Sequence, residues 1–160
     1  MVERTPEIGT PRAPRGADSG VGDDQTMDER RVWIVEDEPA AAMLAADLCE
    51  ASGASASVFR QASTFLTALR ASGPPTAIVL DWRLERELSA ALFLATRHRH
   101  PRLPVIYWTG STLDALPAMI FDDRWVVIVD KAAGTSSFEE ALAWALSPAD
   151  AEKPEDSVVR

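Results

Sequence analysis

The chain has 160 residues, 46% of them hydrophobic, and a formal net charge of −9, which fits one domain of ordinary size with a real core plus tails. The negative balance argues against a nucleic-acid surface, because binding to phosphate backbones needs clustered lysine and arginine. Cys49 is the single cysteine, which excludes an intrachain disulfide and a cysteine metal site, and no apolar run has the length of a membrane span or the place of a signal peptide, so a soluble protein in a reducing cytoplasm is expected.

Residues 1–29 hold Pro, Gly, Ser, Thr and mixed charges with few large apolar side chains, too little to order the segment by burial, so a disordered tail is expected and Met27 is a possible alternative start. The domain should span 30–147. Val32 to Val35 reads as a buried strand that runs into Glu36-Asp37-Glu38. Pro39 suits a first helical turn, and Ala40 to Ser52 reads as an Ala-rich helix with Met43, Leu44 and Leu48 as its apolar stripe, Cys49 as a core thiol and a stop near Gly53. Ala54 to Phe59 is a short second strand, and Ser63 should cap a helix to about Ala71 whose inner face carries Phe65, Leu66 and Leu69.

The break Gly73-Pro74-Pro75 precedes Ala77-Ile78-Val79-Leu80, a strand buried on both faces that ends at Asp81. A loop through Glu87 then leads to a helix from about Leu88 to His98, whose His98-Arg99-His100-Pro101 end reads as a solvated terminus, not a metal pair. Val105-Ile106-Tyr107-Trp108, opened by Pro104, runs into Thr109-Gly110. Ser111 or Thr112 should cap a short helix that Pro117 makes irregular. Trp125 to Val129 runs into Asp130-Lys131. A last helix begins at Thr135 or Ser136, buries Phe138, Leu142 and Leu146 and stops at Pro148; residues 148–160 read as a polar, disordered tail.

Strand ends thus deliver an acid cluster, a lone acid, a hydroxyl and an ammonium. The separations between them fit strand-helix repeats of roughly 30 residues or somewhat fewer, and right-handed crossovers would bring all of these ends to one sheet edge, where ligands bind in open α/β folds. That set suits phosphoryl transfer to a carboxylate: carboxylates and carbonyls for a divalent metal, a cation and a hydroxyl for the phosphoryl oxygens, and an aspartate as acceptor. Taken singly, an acid after a strand is often a helix cap, a Thr-Gly pair a turn and a terminal lysine a solvated charge. Their convergence on one edge favours the site.

At these residues the chain resembles the receiver domain of two-component response regulators, over about residues 31–147. The resemblance implies a flavodoxin-like (βα)5 sandwich, α/β and doubly wound, with a five-stranded parallel sheet in the order 2-1-3-4-5. It implies that Asp81 accepts a phosphoryl group from a histidine kinase or a histidine phosphotransfer protein. Asp37, Asp81 and the backbone carbonyl of Arg83 would hold Mg²⁺, with Glu36 acting through a water. Lys131 would pair with Asp81 at rest and with a phosphoryl oxygen afterwards, while Thr109 bonds another oxygen. With no second folded domain in view, the chain would be a single-domain regulator that assists its own phosphorylation and dephosphorylation without being an enzyme, and would signal to a downstream protein target with no direct nucleic-acid or membrane contact.

Three positions depart from the usual pattern. Ile128 stands where most receivers carry a switching Phe or Tyr, Ala132 where a Pro usually follows the lysine, and Leu84-Glu85-Arg86-Glu87-Leu88-Ser89 where the loop usually has Pro and Gly. The layout of Asp81 to Leu94, Pro104 to Gly110 and the missing aromatic is similar to the alphaproteobacterial single-domain receivers of the FAT GUY group, though Tyr107-Trp108-Thr109-Gly110 replaces their Phe-Ala-Thr-Gly. Trp108 or Tyr107 is therefore a candidate for the reporting role, and Arg83 for contact with the phosphoryl group. The main alternative is a pseudo-receiver used as a phosphorylation-independent docking module. A haloacid-dehalogenase-type hydrolase would need a second acid at the position of Arg83.

Overall fold

A computed structural model describes residues 29–84, 87–147 and 158–159. Strand β1 (Arg31–Val35) leads through the acid cluster to helix α1 (Pro39–Ala51), then to β2 (Ser55–Phe59), α2 (Ala62–Ala71) and β3 (Ala77–Leu80). A small hairpin of β4 (Arg83–Leu84) and β5 (Glu87–Leu88) precedes α3 (Ala90–Arg99) and β6 (Val105–Thr109). One 3-10 turn at Leu113–Ala115 and the four-residue α4 (Ala118–Phe121) separate β6 from β7 (Val126–Asp130), after which come α5 (Thr135–Ala145) and β8 (Val158–Val159).

The sheet order is β2-β1-β3-β6-β7-β8, with every neighbouring pair parallel. Its five principal strands form the doubly wound flavodoxin-like arrangement. The register aligns Val35 with Leu80, Leu80 with Tyr107, and Thr109 with Asp130, so Glu36, Asp81, Thr109 and Lys131 leave the sheet at the same edge.

Alternation along each strand divides the core in two. Val32, Ile34, Val79, Ile106, Trp108, Val127 and Val129 face α1 and α5, where they meet Ala45, Cys49, Phe138 and Leu142. Trp33, Ile78, Leu80, Tyr107 and Ile128 face the opposite layer with Phe65, Phe93 and Ile120. β3 and β6 are buried at every residue, which is why their sequences are continuous apolar runs without alternation.

Several local expectations need correction. α1 buries Ala42, Ala45 and Cys49, while Met43 and Leu44 are 65% and 41% exposed. In a helix that is apolar nearly all round, periodicity fits more than one stripe, and the small side chains won because they let α1 sit close to the sheet. Ser63 lies inside the first turn of α2; Gln61 holds the cap position without a side-chain bond. The segment after Asp81 is a hairpin, and α3 starts at Ala90 because Leu84 and Leu88 belong to paired strands. Pro117 stands at the N-terminus of α4 and leaves this element short and irregular, as its sequence implied. Val158–Val159 pair with Ile128–Val129, a sixth strand where a disordered tail was expected. The remainder of both expected tails, 1–28, 148–157 and 160, lies outside the described residues. Among the described residues no helix is long and apolar enough to cross a membrane.

Cys49 is fully buried, and burial first, with the charge of Glu50 second, pushes its thiol up to about 12. Since the thiolate is the nucleophile, Cys49 should stay unreactive towards Ellman's reagent at pH 8 in native protein and react at once in denaturant. Rapid labelling of the native form would show that α1 does not seal this face.

Candidate phosphoryl-acceptor site

Each strand ends where its last backbone bond fixes the side chain that follows. The Glu36 amide donates to the Phe59 carbonyl (3.1 Å) and the Asp81 amide to the Val35 carbonyl (3.1 Å), so the two acids are tied to neighbouring strands. Beyond Asp81, the Arg83 amide returns to Asp81 Oδ1 (3.3 Å), and beyond Glu36 the Glu38 amide returns to Oε1 (3.1 Å). Both are short turns closed by an acidic side chain. Thr109 closes a similar turn by accepting from the Ser111 amide (3.1 Å), and Asp130 does so by accepting from the Ala132 amide (2.8 Å). The last bond exists because Ala132 has the backbone N–H that a proline would lack.

These turns hold their side chains around one cation. Lys131 Nζ donates to Glu36 Oε2 at 2.6 Å and to Asp81 Oδ2 at 3.1 Å. Glu36 is 2% exposed and Asp81 9%. One carboxylate oxygen from each of Glu36, Asp37 and Asp81 lies within 4.8 Å of the others, the one such grouping of potential metal ligands among the described residues. Three carboxylates therefore face one ammonium, and the cluster keeps an excess of negative charge.

Burial raises the pKa of Glu36, an effect the Lys131 bond, the Glu38 amide and the Lys131 charge oppose without cancelling. Burial pulls Lys131 the other way, but the Glu36 bond and the charges of Asp81 and Glu36 outweigh it and hold the ammonium above the ordinary lysine range. Lys131 therefore stays charged at neutral pH. A cleft of about 460 Å³ opens beside the cluster and is lined by Glu38, Asp81, Arg83, Gly110, Ser111 and Lys131 among others. Oxygen donors from three acids, an excess negative charge and an open approach suit a hard divalent cation.

The sequence-derived set falls as follows. Glu36 and Asp81 meet Lys131 directly, a carboxylate oxygen of Asp37 lies within 4.8 Å of theirs, and Arg83 borders the cleft with an exposed side chain. Thr109 is buried at the same edge. Glu36 also bonds Lys131, at a shorter distance than Asp81 does, a pairing the sequence did not indicate. The Lys131 ammonium also lies 5.5 Å from the centre of the Trp108 ring, a contact for which strand patterning gave only the face. Tyr107 points to the opposite layer, where its hydroxyl meets Ser89 Oγ at 3.4 Å. His98 and His100 join no metal-ligand cluster among the described residues.

No family model matches the chain, and no curated protein matches it either. Solved structures do. A response regulator receiver domain protein from Bacillus halodurans is similar with a TM-score of 0.63 and 19% identity over 73% of this chain and 97% of that one. The receiver protein from Sinorhizobium medicae gives 0.65 at 14% identity, over 77% and 98%. TrrA from Thermotoga maritima, solved in complex with Mg²⁺ and BeF, gives 0.63 at 18% identity, over 73% and 99%. The chain has the fold of response regulator receiver domains.

If the acid cluster takes a divalent cation, Mg²⁺ should raise the melting temperature in calorimetry. Stabilisation should reach about 2.7 kcal/mol at a hundredfold excess over Kd. Asp37→Asn and Asp81→Asn should each remove most of the effect while leaving an untitrated Tm equal to or above that of the parent, since each relieves like-charge repulsion. An unchanged Mg²⁺ response in both variants would place the ion elsewhere.

Proposed function

We propose that the protein is a response regulator receiver that accepts a phosphoryl group on Asp81 from a phosphohistidine of a histidine kinase or a histidine phosphotransfer protein. The observation that carries this reading is the gathering of Glu36, Asp37 and Asp81 within 4.8 Å, with Lys131 Nζ 3.1 Å from Asp81, at the strand-end edge of a doubly wound sheet.

A carboxylate oxygen of Asp81 attacks phosphorus; the new P–O bond forms as the P–N bond to the donor histidine breaks, and the bonding pair stays on the imidazole nitrogen. Lys131 is already within reach of the acceptor and supplies an ammonium to a phosphoryl oxygen. The Thr109 oxygen accepts from the Ser111 amide, which leaves its O–H free to donate to a second oxygen. Bound Mg²⁺ would offset the charge of the carboxylates and of the incoming group, with Asp37, Asp81 and the Arg83 carbonyl as its protein ligands and Glu36 through a water. Arg83 stands at the cleft rim as a second cation. In this reading the chain is a phosphoacceptor in the cytoplasm, not a turnover enzyme, and a downstream protein reads its state. The grouping with FAT GUY receivers rests on the layout of Asp81 to Leu94 and of Pro104 to Gly110, and on Ile128, which is buried in the α2–α3–α4 layer and carries no switching ring.

A phosphorylation-independent docking module is the second reading, favoured by the exposed Met43 and Leu44 on α1. Incubation with Mg²⁺ and acetyl phosphate separates the two. Intact mass spectrometry should show one added phosphoryl group, absent without Mg²⁺ and absent in Asp81→Asn. Unmodified wild-type protein under these conditions, with folding confirmed by circular dichroism, would leave the docking reading in place.

A further inference from the structure

Trp108 sits one residue before Thr109, on the face of β6 opposite to it, and is 4% exposed. Its ring has two neighbours of different kinds. Lys131 Nζ lies 5.5 Å from the ring centre, and the Phe138 ring of α5 lies 4.8 Å away at a tilt of 52°. The indole Nε1 is buried and has no hydrogen-bond partner. A buried N–H without an acceptor costs about 1–3 kcal/mol, so the ring holds this position against a penalty. An apolar filler such as leucine would occupy the same core face without that penalty.

What the indole adds is the negative face of its π-system, the strongest among aromatic side chains for a cation. It meets an ammonium whose other partners, Glu36 Oε2 and Asp81 Oδ2, lie at 2.6 and 3.1 Å. Carboxylates alone pull Lys131 towards the acid cluster; the ring attracts it back over the sheet. We propose that Trp108 is a positioning residue for Lys131: it holds the ammonium in register beside Asp81 and passes any displacement of that ammonium to α5 through Phe138. The proposal rests on the phosphoryl-acceptor reading for its second half, and on the resting geometry alone for its first.

Nuclear magnetic resonance of the lysine ε-methylene groups tests both halves. In resting wild-type protein the Lys131 ε-protons should be shifted upfield by the Trp108 ring current. Trp108→Phe, which keeps an aromatic face, should retain an upfield shift, and Trp108→Leu should lose it. Adding Mg²⁺ and beryllofluoride should move the Lys131 and Phe138 ring signals together in wild type. In Trp108→Leu the Phe138 response should fall away, and acetyl-phosphate-driven modification of Asp81 should slow about two- to fivefold, the range for one cation–π contact of 0.5–1 kcal/mol.

Random-coil ε-proton shifts in resting wild type, or a Phe138 response unaltered by Trp108→Leu, would overturn the assignment. If Trp108→Leu fails to fold, the Phe variant decides: a retained upfield shift together with coupling to Phe138 is the conservative rescue expected of a positioning ring, and no shift in a folded Phe variant contradicts it. A wild-type protein with the ring-current shift but no beryllofluoride response would contradict the phosphoryl-acceptor reading and the relay together, while the Lys131 contact would stand.

Discussion

The Lys131 ammonium between Glu36 and Asp81 is the interaction on which the site depends. Glu36 and Asp81 are almost fully enclosed, and a buried carboxylate without a counter-charge is among the costliest features a fold can carry. The ammonium comes from the end of β7, while the acids come from β1 and β3, so the contact spans 95 residues of sequence to Glu36 and 50 to Asp81. It can form only after four strands, β1, β3, β6 and β7, have paired in register. The ion pairs, in turn, are a weak source of stability, since the desolvation of all three groups offsets much of their attraction. Their value lies in what they prepare: an anionic cluster with one cation too few and an open cleft in front of it.

The sheet makes that arrangement possible. β3 and β6 are buried on both faces, and parallel pairing between them leaves little freedom for register slips, because a slip of one residue would exchange the two core layers. At each strand end the chain turns within two residues, and the turn is closed by the side chain that belongs to the site: Glu36, Asp81 and Thr109 all accept an amide two positions on. Backbone geometry and site chemistry are thus set by the same atoms. Asp130 repeats the device before Ala132, which positions Lys131 without a proline.

Much of this was legible before any coordinates. Continuous apolar runs ending in Asp81, Thr109 and Asp130-Lys131 have few interpretations other than buried strands aimed at a common edge, and the strand order followed from the family resemblance. The irregular fourth helix was readable from Pro117. What escaped has physical causes. α1 is so rich in alanine that its pattern could not say which stripe is buried, and larger side chains drew the choice towards Met43 and Leu44, which face out. Leu84 and Leu88 have helical spacing yet belong to a two-residue hairpin, too short for any periodicity to register. The sequence also does not show that Lys131 reaches Glu36 at 2.6 Å as well as Asp81, since the pair joins the ends of β1 and β7 across the sheet. Nor can it place the lysine over the Trp108 ring, a contact between two strand ends that alternation alone leaves unresolved.

A 2.6 Å contact between two enclosed groups should make Lys131 and Glu36 energetically coupled partners and not charges that happen to lie close. A double-mutant cycle on folding stability, with Glu36→Gln and Lys131→Met measured singly and together in the absence of divalent cations, tests this most directly. The predicted result is a coupling of about 1 kcal/mol or more, with each single change more harmful than its effect in the other's background. Additivity within about 0.3 kcal/mol would contradict it and would leave Lys131 as a solvated charge at the end of a strand.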